Sequence, residues 1–183
     1  MAVIVHINSY PGVGKLTIGR ALAELIGGKL LDNHSVFNVA FALTEFRSPA
    51  FYDTVRAVRE IAYRRILDLP RAVPVILTNW YSQGSAWGEE NWDRAIALAK
   101  ERDCALNIVI LSCLPEENAR RIQAPERAGK RKPQGTEFVS DNRKGRPLLD
   151  RGGDRLLRLD VTNLSASKAA QAIANWLSGS AAI

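Results

Sequence analysis

Ser9-Tyr10-Pro11-Gly12-Val13-Gly14-Lys15-Leu16-Thr17 brings two glycines, an ammonium and a hydroxyl into the spacing that phosphate binding needs. Glycines let successive backbone N–H groups turn inward around anionic oxygens. Lys15 adds a point charge able to reach the outer phosphates of a nucleotide such as ATP. Thr17 offers a hydroxyl to a phosphate oxygen or to magnesium, which makes it the candidate metal residue. Pro11, Val13 and Leu16 complete the loop. It follows a β-branched run, Val3 to Asn8, and precedes an apolar stripe at helical spacing, Ile18, Ala21, Leu22, Leu25 and Ile26. A buried strand would therefore feed the loop into a helix N-terminus, whose partial positive charge also favours an anion. The pattern departs from G-x-x-x-x-G-K-[ST] at two places, with Ser9 at the first glycine and Leu16 after the lysine.

Strand and helix signals alternate along the rest of the chain. Gly27-Gly28 closes the first helix. Lys29 to Asp32, Val73 to Thr78 (with Pro74 at its entry), Leu106 to Leu111 and Leu156 to Val161 read as strands. Phe51, Val55, Val58, Ala62 and Ile66 mark one helix, Trp87 to Ala99 another, and Ser165 to Leu177 the last. Five strands alternating with helices predict an α/β, three-layer fold with a five-stranded parallel sheet. One domain over residues 1–183 is expected, without repeat or linker. Ligands of such sheets sit outside the carboxyl ends of the strands. That places Asp32, His34 and Asn79 on the same rim as the glycine loop. Asp32 either meets an acceptor hydroxyl or a magnesium-bound water, or caps a helix starting near His34. Arg56 and Arg59 lie off the apolar stripe of the helix that begins at Phe51, where one reading is a solvated face and the other, implied by the resemblance given below, is a hold on an anionic acceptor.

Between Arg120 and Arg146 stand nine bases and three acids, a surplus equal to the whole formal charge of +6. This segment is rich in Gly and Pro, and it predicts a lid or loop over 120–150 that favours a phosphate-bearing partner. Nucleic acid is possible on charge but not favoured, because no nucleic-acid motif accompanies it.

The run P-G-x-G-K-x-T resembles the P-loop of nucleoside monophosphate kinases such as adenylate kinase. Asp32 after the second strand resembles the aspartate of shikimate kinase, gluconate kinase and chloramphenicol phosphotransferase. Ala119-Arg120-Arg121-Ile122-Gln123 with Pro125 to Lys130 resembles lid segments of the same group, and Arg146-Pro147-Leu148-Leu149 resembles a substrate-contacting R-P-L-L segment of shikimate kinases. The resemblance implies a P-loop NTPase fold of the adenylate/shikimate kinase type with a basic lid. It implies transfer of the γ-phosphate of ATP to a small-molecule acceptor, with Mg²⁺ held mostly by nucleotide and water. Lys15, Asp32, Arg120 and Arg127 would be catalytic, with Arg121 the alternative to Arg120; residues 11–17 would bind nucleotide; His34, Arg56 and Asn79 would meet the acceptor. A nucleic-acid end or an antibiotic hydroxyl are other acceptors, and a regulatory protein that binds nucleotide without turnover is the reading from another class.

Composition narrows the setting. No apolar run is long enough to span a membrane. The amino terminus reads as a strand, not a signal peptide, and a cytoplasmic protein is expected. Cys104 and Cys113 form no C-x-x-C pair, so metal or redox roles for them have little support.

Overall fold

The computed structural model describes residues 2–123 and 147–179. Five parallel strands form one sheet in the order β2-β3-β1-β4-β5. The strands are β1 (Val3–Asn8), β2 (Lys29–Asp32), β3 (Val75–Asn79), β4 (Ala105–Ser112) and β5 (Arg155–Asp160). Among the described residues six helices flank them: α1 (Lys15–Ile26), α2 (Asn33–Leu43), α3 (Pro49–Leu67), α4 (Ala86–Glu101), α5 (Pro115–Ile122) and α6 (Ala166–Ser178).

β1, β3 and β4 are buried over nearly their whole length, which is why they read as unbroken apolar runs. Side chains alternate between the two faces. Val3, Val5 and Ile7 pack with Val109 and Leu111 beneath α1 and α6, through Ile18, Leu22, Ala170, Ile173 and Leu177. Ile4, Val75, Leu77, Ile108 and Ile110 pack on the opposite side, against Trp92, Ala95 and Leu98 of α4 and Ile66 of α3. A third, smaller core joins α2 to α3 through Val36, Ala40, Phe51 and Val55, with Phe37, Phe41 and Trp87 around it. The three layers are those expected.

Several boundaries shift. The third strand begins at Val75, since Pro74 has no N–H for the ladder and instead accepts from Lys29 N at 2.9 Å. The last strand ends at Asp160, one residue earlier than expected. The helix over 33–43 is the one that the capping reading of Asp32 required, and Asp32 is its cap. Of the segment 120–150 expected as a lid, α5 takes residues up to Ile122, Pro147 O accepts from Gln83 N at 2.8 Å, and residues 124–146 lie outside the described residues. Cys113 is buried and Cys104 half-buried, and neither is in a disulfide. No described helix is long and apolar enough to cross a membrane.

Candidate active site

All five strands point the same way, so Asn8, Asp32, Asn79, Ser112 and Asp160 end on one rim. The glycine loop leaves this rim at Asn8 and enters α1 at Lys15. Gly12 (φ 87°) and Gly14 (φ 112°) both take left-handed backbone that suits glycine. Gly14 caps α1 without any side-chain hydrogen bond. By contrast α2, α3, α4 and α6 are each capped by a side chain: Asp32, Ser48, Ser85 and Ser165. The first turn of α1 also lacks acids. Its leading N–H groups and positive pole are thus left to an external anion.

Lys15 Nζ donates to the carbonyls of Ser9 at 3.3 Å and Tyr10 at 3.4 Å, which keeps the ammonium on the loop. Pro11, Gly12 and Val13 are buried, Leu16 is half-buried and Thr17 is exposed. The loop is braced from behind by α5. Buried Asn118 donates to the Pro11 carbonyl at 2.9 Å, and a Cβ on Gly12 would lie 2.4 Å from Ile122 Cγ1.

Asp32 faces the loop's rim from the end of β2, and both readings of it meet in one side chain. Its Oδ2 accepts from His34 N at 3.2 Å as the α2 cap, while Oδ1 accepts from Thr78 Oγ1 at 2.6 Å. Burial pushes its carboxyl pKa up. The hydrogen bonds from His34 and Thr78 outweigh this, and the net direction is down. Asp32 is therefore ionised at neutral pH. His34 Nδ1 is 2.9 Å from Asn33 Oδ1 and 3.5 Å from Asp32 Oδ2. Asn79, almost fully buried, donates from Nδ2 to His6 Nε2 at 2.9 Å. His6 itself is wholly buried against Trp92, and desolvation, aided by the charge of Arg59, lowers its pKa to about 3. A neutral imidazole thus fixes the Asn79 amide.

The two candidate lid arginines of α5 behave differently. Arg120 is exposed and pairs with Glu117 at 2.7 Å. Arg121 spans the site: Nη1 donates to Val13 O at 2.8 Å and Nη2 to Val161 O at 2.8 Å, while Nε meets Glu117 Oε1 at 2.6 Å. It ties the glycine loop to the turn after β5. Hydrogen bonds from Arg120 and Arg121 hold the Glu117 carboxyl down to about 2. Arg127 lies outside the described residues.

On the acceptor side, Arg56 is taken up by acids. It donates to Glu90 at 2.9 and 3.0 Å and to Asp53 at 3.1 Å. Arg59, expected on the outer face of α3, is instead buried at 3% exposure between α2 and α4. Sequence reasoning missed a second group of rim residues. Asn8 Nδ2 donates to the carbonyls of Tyr81 (2.8 Å) and Leu149 (2.9 Å), and its Oδ1 accepts from Tyr81 N (2.9 Å). Leu148 bridges Ser82, so Pro147 to Leu149 is stitched to the loop after β3. An asparagine closing a buried strand whose other residues, His6 apart, are apolar was the available signal.

No family model matches the chain, and no curated protein matches it by sequence. Solved structures do match it. A candidate kinase of Chloroflexus aurantiacus j-10-fl superposes with a TM-score of 0.69 at 19% identity, covering 98% of this chain and 97% of that one. A gluconokinase of Sinorhizobium meliloti 1021 gives 0.59 at 17% identity over 97% and 94%. A shikimate kinase of Bacteroides thetaiotaomicron gives 0.58 at 16% identity over 96% and 98%. The chain shares the P-loop α/β fold of these kinases.

Proposed function

We propose that the protein is an ATP-dependent phosphotransferase that moves the γ-phosphate to a small-molecule acceptor. The observation that carries this is the uncapped head of α1, with two left-handed glycines and Lys15, set on the same rim as an ionised Asp32. Fold alone leaves the reaction open; the two halves of this rim suit a donor and an acceptor.

The donor half fits a triphosphate. N–H groups of residues 12–17 surround phosphate oxygens, and Lys15 leaves the carbonyls of Ser9 and Tyr10 to neutralise charge on the transferred group. Arg121 holds the loop in shape, and Arg120 is assigned to the lid side of the transfer. Phosphoryl transfer passes through a loose transition state, so positioning and charge matter more than a strong base. That suits Asp32, whose low pKa makes it a weak base. It orients the acceptor hydroxyl and receives its proton late, while Thr78 and the α2 N-terminus keep the carboxylate in place. Asn79, held by His6, and His34 flank the same end of the sheet and are assigned to the acceptor.

Among the described residues no three His, Cys, Asp or Glu side chains gather as a metal cage. Magnesium would be held chiefly by phosphate oxygens and water, with Thr17 Oγ1 and the Asp32 carboxylate as the protein's contributions. When bound it supplies charge neutralisation. The lid assignment draws on the anchors of residues 124–146: Ile122 against Gly12 at one end, and Pro147 to Leu149 beside Tyr81 at the other. The protein is expected to act in the cytoplasm.

The test is a thermal-shift and ATP-consumption screen over nucleosides, sugars and acid metabolites, with Lys15→Ala alongside. Nucleotide should raise the melting temperature of the wild type and not of Lys15→Ala. Absence of any Lys15-dependent nucleotide effect would sink the proposal. With an acceptor in hand, Asp32→Asn should lower turnover by roughly 10²–10⁴; wild-type turnover would remove Asp32 from the chemistry.

A further inference from the structure

Asn8 and Asn79, the last residues of β1 and β3, are register partners, and the structure treats them in opposite ways. The Asn8 amide is used up on backbone: Nδ2 donates to Tyr81 O and Leu149 O, and Oδ1 accepts from Tyr81 N. The Asn79 amide is half used. Its Nδ2 donates to His6 Nε2 at 2.9 Å, and its Oδ1 has no partner among the described residues. Nor is that oxygen walled in: it keeps contact with solvent, although Asn79 as a whole is 7% exposed. Asn79 follows Thr78, the register partner of Asp32. The open oxygen and the ionised carboxylate therefore stand at the ends of neighbouring strands.

His6 is a costly residue for its place. Its register partners are Leu77 and Ile108, and its ring lies 4.6 Å from that of Trp92 and 6.1 Å from that of Tyr81. Its Nδ1 is buried without a partner. A polar atom left so is destabilising, and an apolar side chain would avoid that. The ring's one hydrogen bond is to Asn79. Burial keeps the imidazole neutral, so it has one N–H and one lone pair. Since Nε2 accepts from Asn79, the hydrogen is on Nδ1. A side-chain amide carries an oxygen on one side and N–H groups on the other. The tautomer of His6 thus decides which of them faces the rim. A lone pair on Nε2 draws Nδ2 inward and leaves Oδ1 outside; a hydrogen there would draw in the oxygen and leave the N–H groups outside.

We infer that His6 is a positioning residue, which turns Asn79 Oδ1 outward to take a hydrogen bond from a second hydroxyl of the acceptor. The inference rests on the kinase reading of the rim. It narrows that reading to a polyhydroxylated compound: one hydroxyl is phosphorylated beside Asp32, and another donates to Asn79 Oδ1.

The experiment has a spectroscopic and a kinetic arm, both on the full chain. The chain carries two histidines, so His34→Gln identifies the His6 signals in nitrogen-labelled protein. Long-range proton–nitrogen correlations should show the hydrogen on Nδ1 and a bare Nε2. In Asn79→Asp an oxygen faces the ring, so Nε2 should gain a hydrogen. Turnover is read as Mg-ATP consumption with ribose, glucose, gluconate and glycerol, each beside its monodeoxy analogues. At least one parent compound should show a KM about tenfold below that of a deoxy analogue, the size of one hydrogen bond. Asn79→Leu and His6→Phe should raise the parent's KM about tenfold with kcat within about twofold, and leave the analogue's KM unchanged. Asn79→Asp, which keeps an oxygen outward, should retain the preference. A purely structural role would move both KM values together. The inference is overturned if wild-type His6 carries its hydrogen on Nε2, or if no parent is preferred to its deoxy analogues. It is equally overturned if Asn79→Leu and His6→Phe weaken parent and analogue alike. Loss of the wild type's own Lys15-dependent nucleotide response would refute the kinase reading instead, and is scored separately.

Discussion

Replacing Gly12 by alanine adds one methyl group at the point where the glycine loop meets α5. Two costs add. The backbone at φ 87° is left-handed, which costs an L-residue about 1–2 kcal/mol. The new Cβ would also lie 2.4 Å from Ile122 Cγ1 and 2.5 Å from Asn118 Nδ2, inside any real contact distance. Overpacking of that kind costs about 1–3 kcal/mol. The sum is about 2–5 kcal/mol, or a fall in melting temperature of roughly 4–20 °C for a chain of this size. Gly27→Ala is the matched control. Gly27 is also left-handed (φ 63°), but a Cβ there meets nothing within 4 Å. It should lose only the backbone share, about 1–2 kcal/mol and roughly 2–8 °C. Scanning calorimetry of the three proteins without nucleotide measures the difference, and a second scan with ADP asks whether the loop still binds. Gly12→Ala should melt several degrees below Gly27→Ala and lose the ADP shift that Gly27→Ala keeps. Equal melting of the two variants would refute the brace between α5 and the loop.

Three further outcomes follow from the geometry. His6 is neutral in the fold down to about pH 3, whereas its unfolded pKa is 6.5. The unfolded chain therefore binds the extra proton between those values, and stability should fall as pH drops from 6.5 toward 3; urea titrations of His6→Gln across that window should show a shallower slope. Asn8→Ala leaves Tyr81 N–H and the Leu149 carbonyl without their partner, while Tyr81 O keeps Leu149 N–H, and should cost about 2–3 kcal/mol, read as a lower urea midpoint at unchanged m-value. Arg121→Gln removes the bonds to Val13 and Val161 and should weaken ADP binding about tenfold by calorimetry, whereas Arg120→Gln, losing an exposed and solvent-screened ion pair, should leave both the melting temperature and ADP binding near wild type.

The strands were legible because the central ones are buried on both faces and carry little but Val, Ile and Leu. The glycine loop was legible because its work is done by backbone, and only certain residues permit that backbone. α2 was hidden. Its sequence, Asn33–Leu43, spreads apolar residues around the helix: Val36 and Ala40 are buried, Val39 and Leu43 exposed, so no stripe stands out. Asp32 offered two readings that sequence could not separate, because one carboxylate does both things. One oxygen caps α2 and the other is held by Thr78, its register partner on β3. Arg56 and Arg59 looked alike for a different reason. What separates them is Glu90 and Asn91 on α4, contacts more than thirty residues away that no local spacing encodes. The same holds for Arg121, whose partners come from the first and last loops of the sheet rim.

Asn8 has a consequence for how the molecule breathes. Its one amide group joins the end of the central strand to Tyr81 and to Leu149, and Leu149 N–H returns to Tyr81 O at 3.0 Å while Gln83 N–H reaches Pro147 O at 2.8 Å. These amides share a single fastening, so none can open to solvent alone. Tyr81, Gln83 and Leu149 should exchange their protons for deuterium at one common rate, as a small cooperative unit distinct from the β1 and β4 core. The rim beside the acceptor would then open and shut as one latch, released at Asn8.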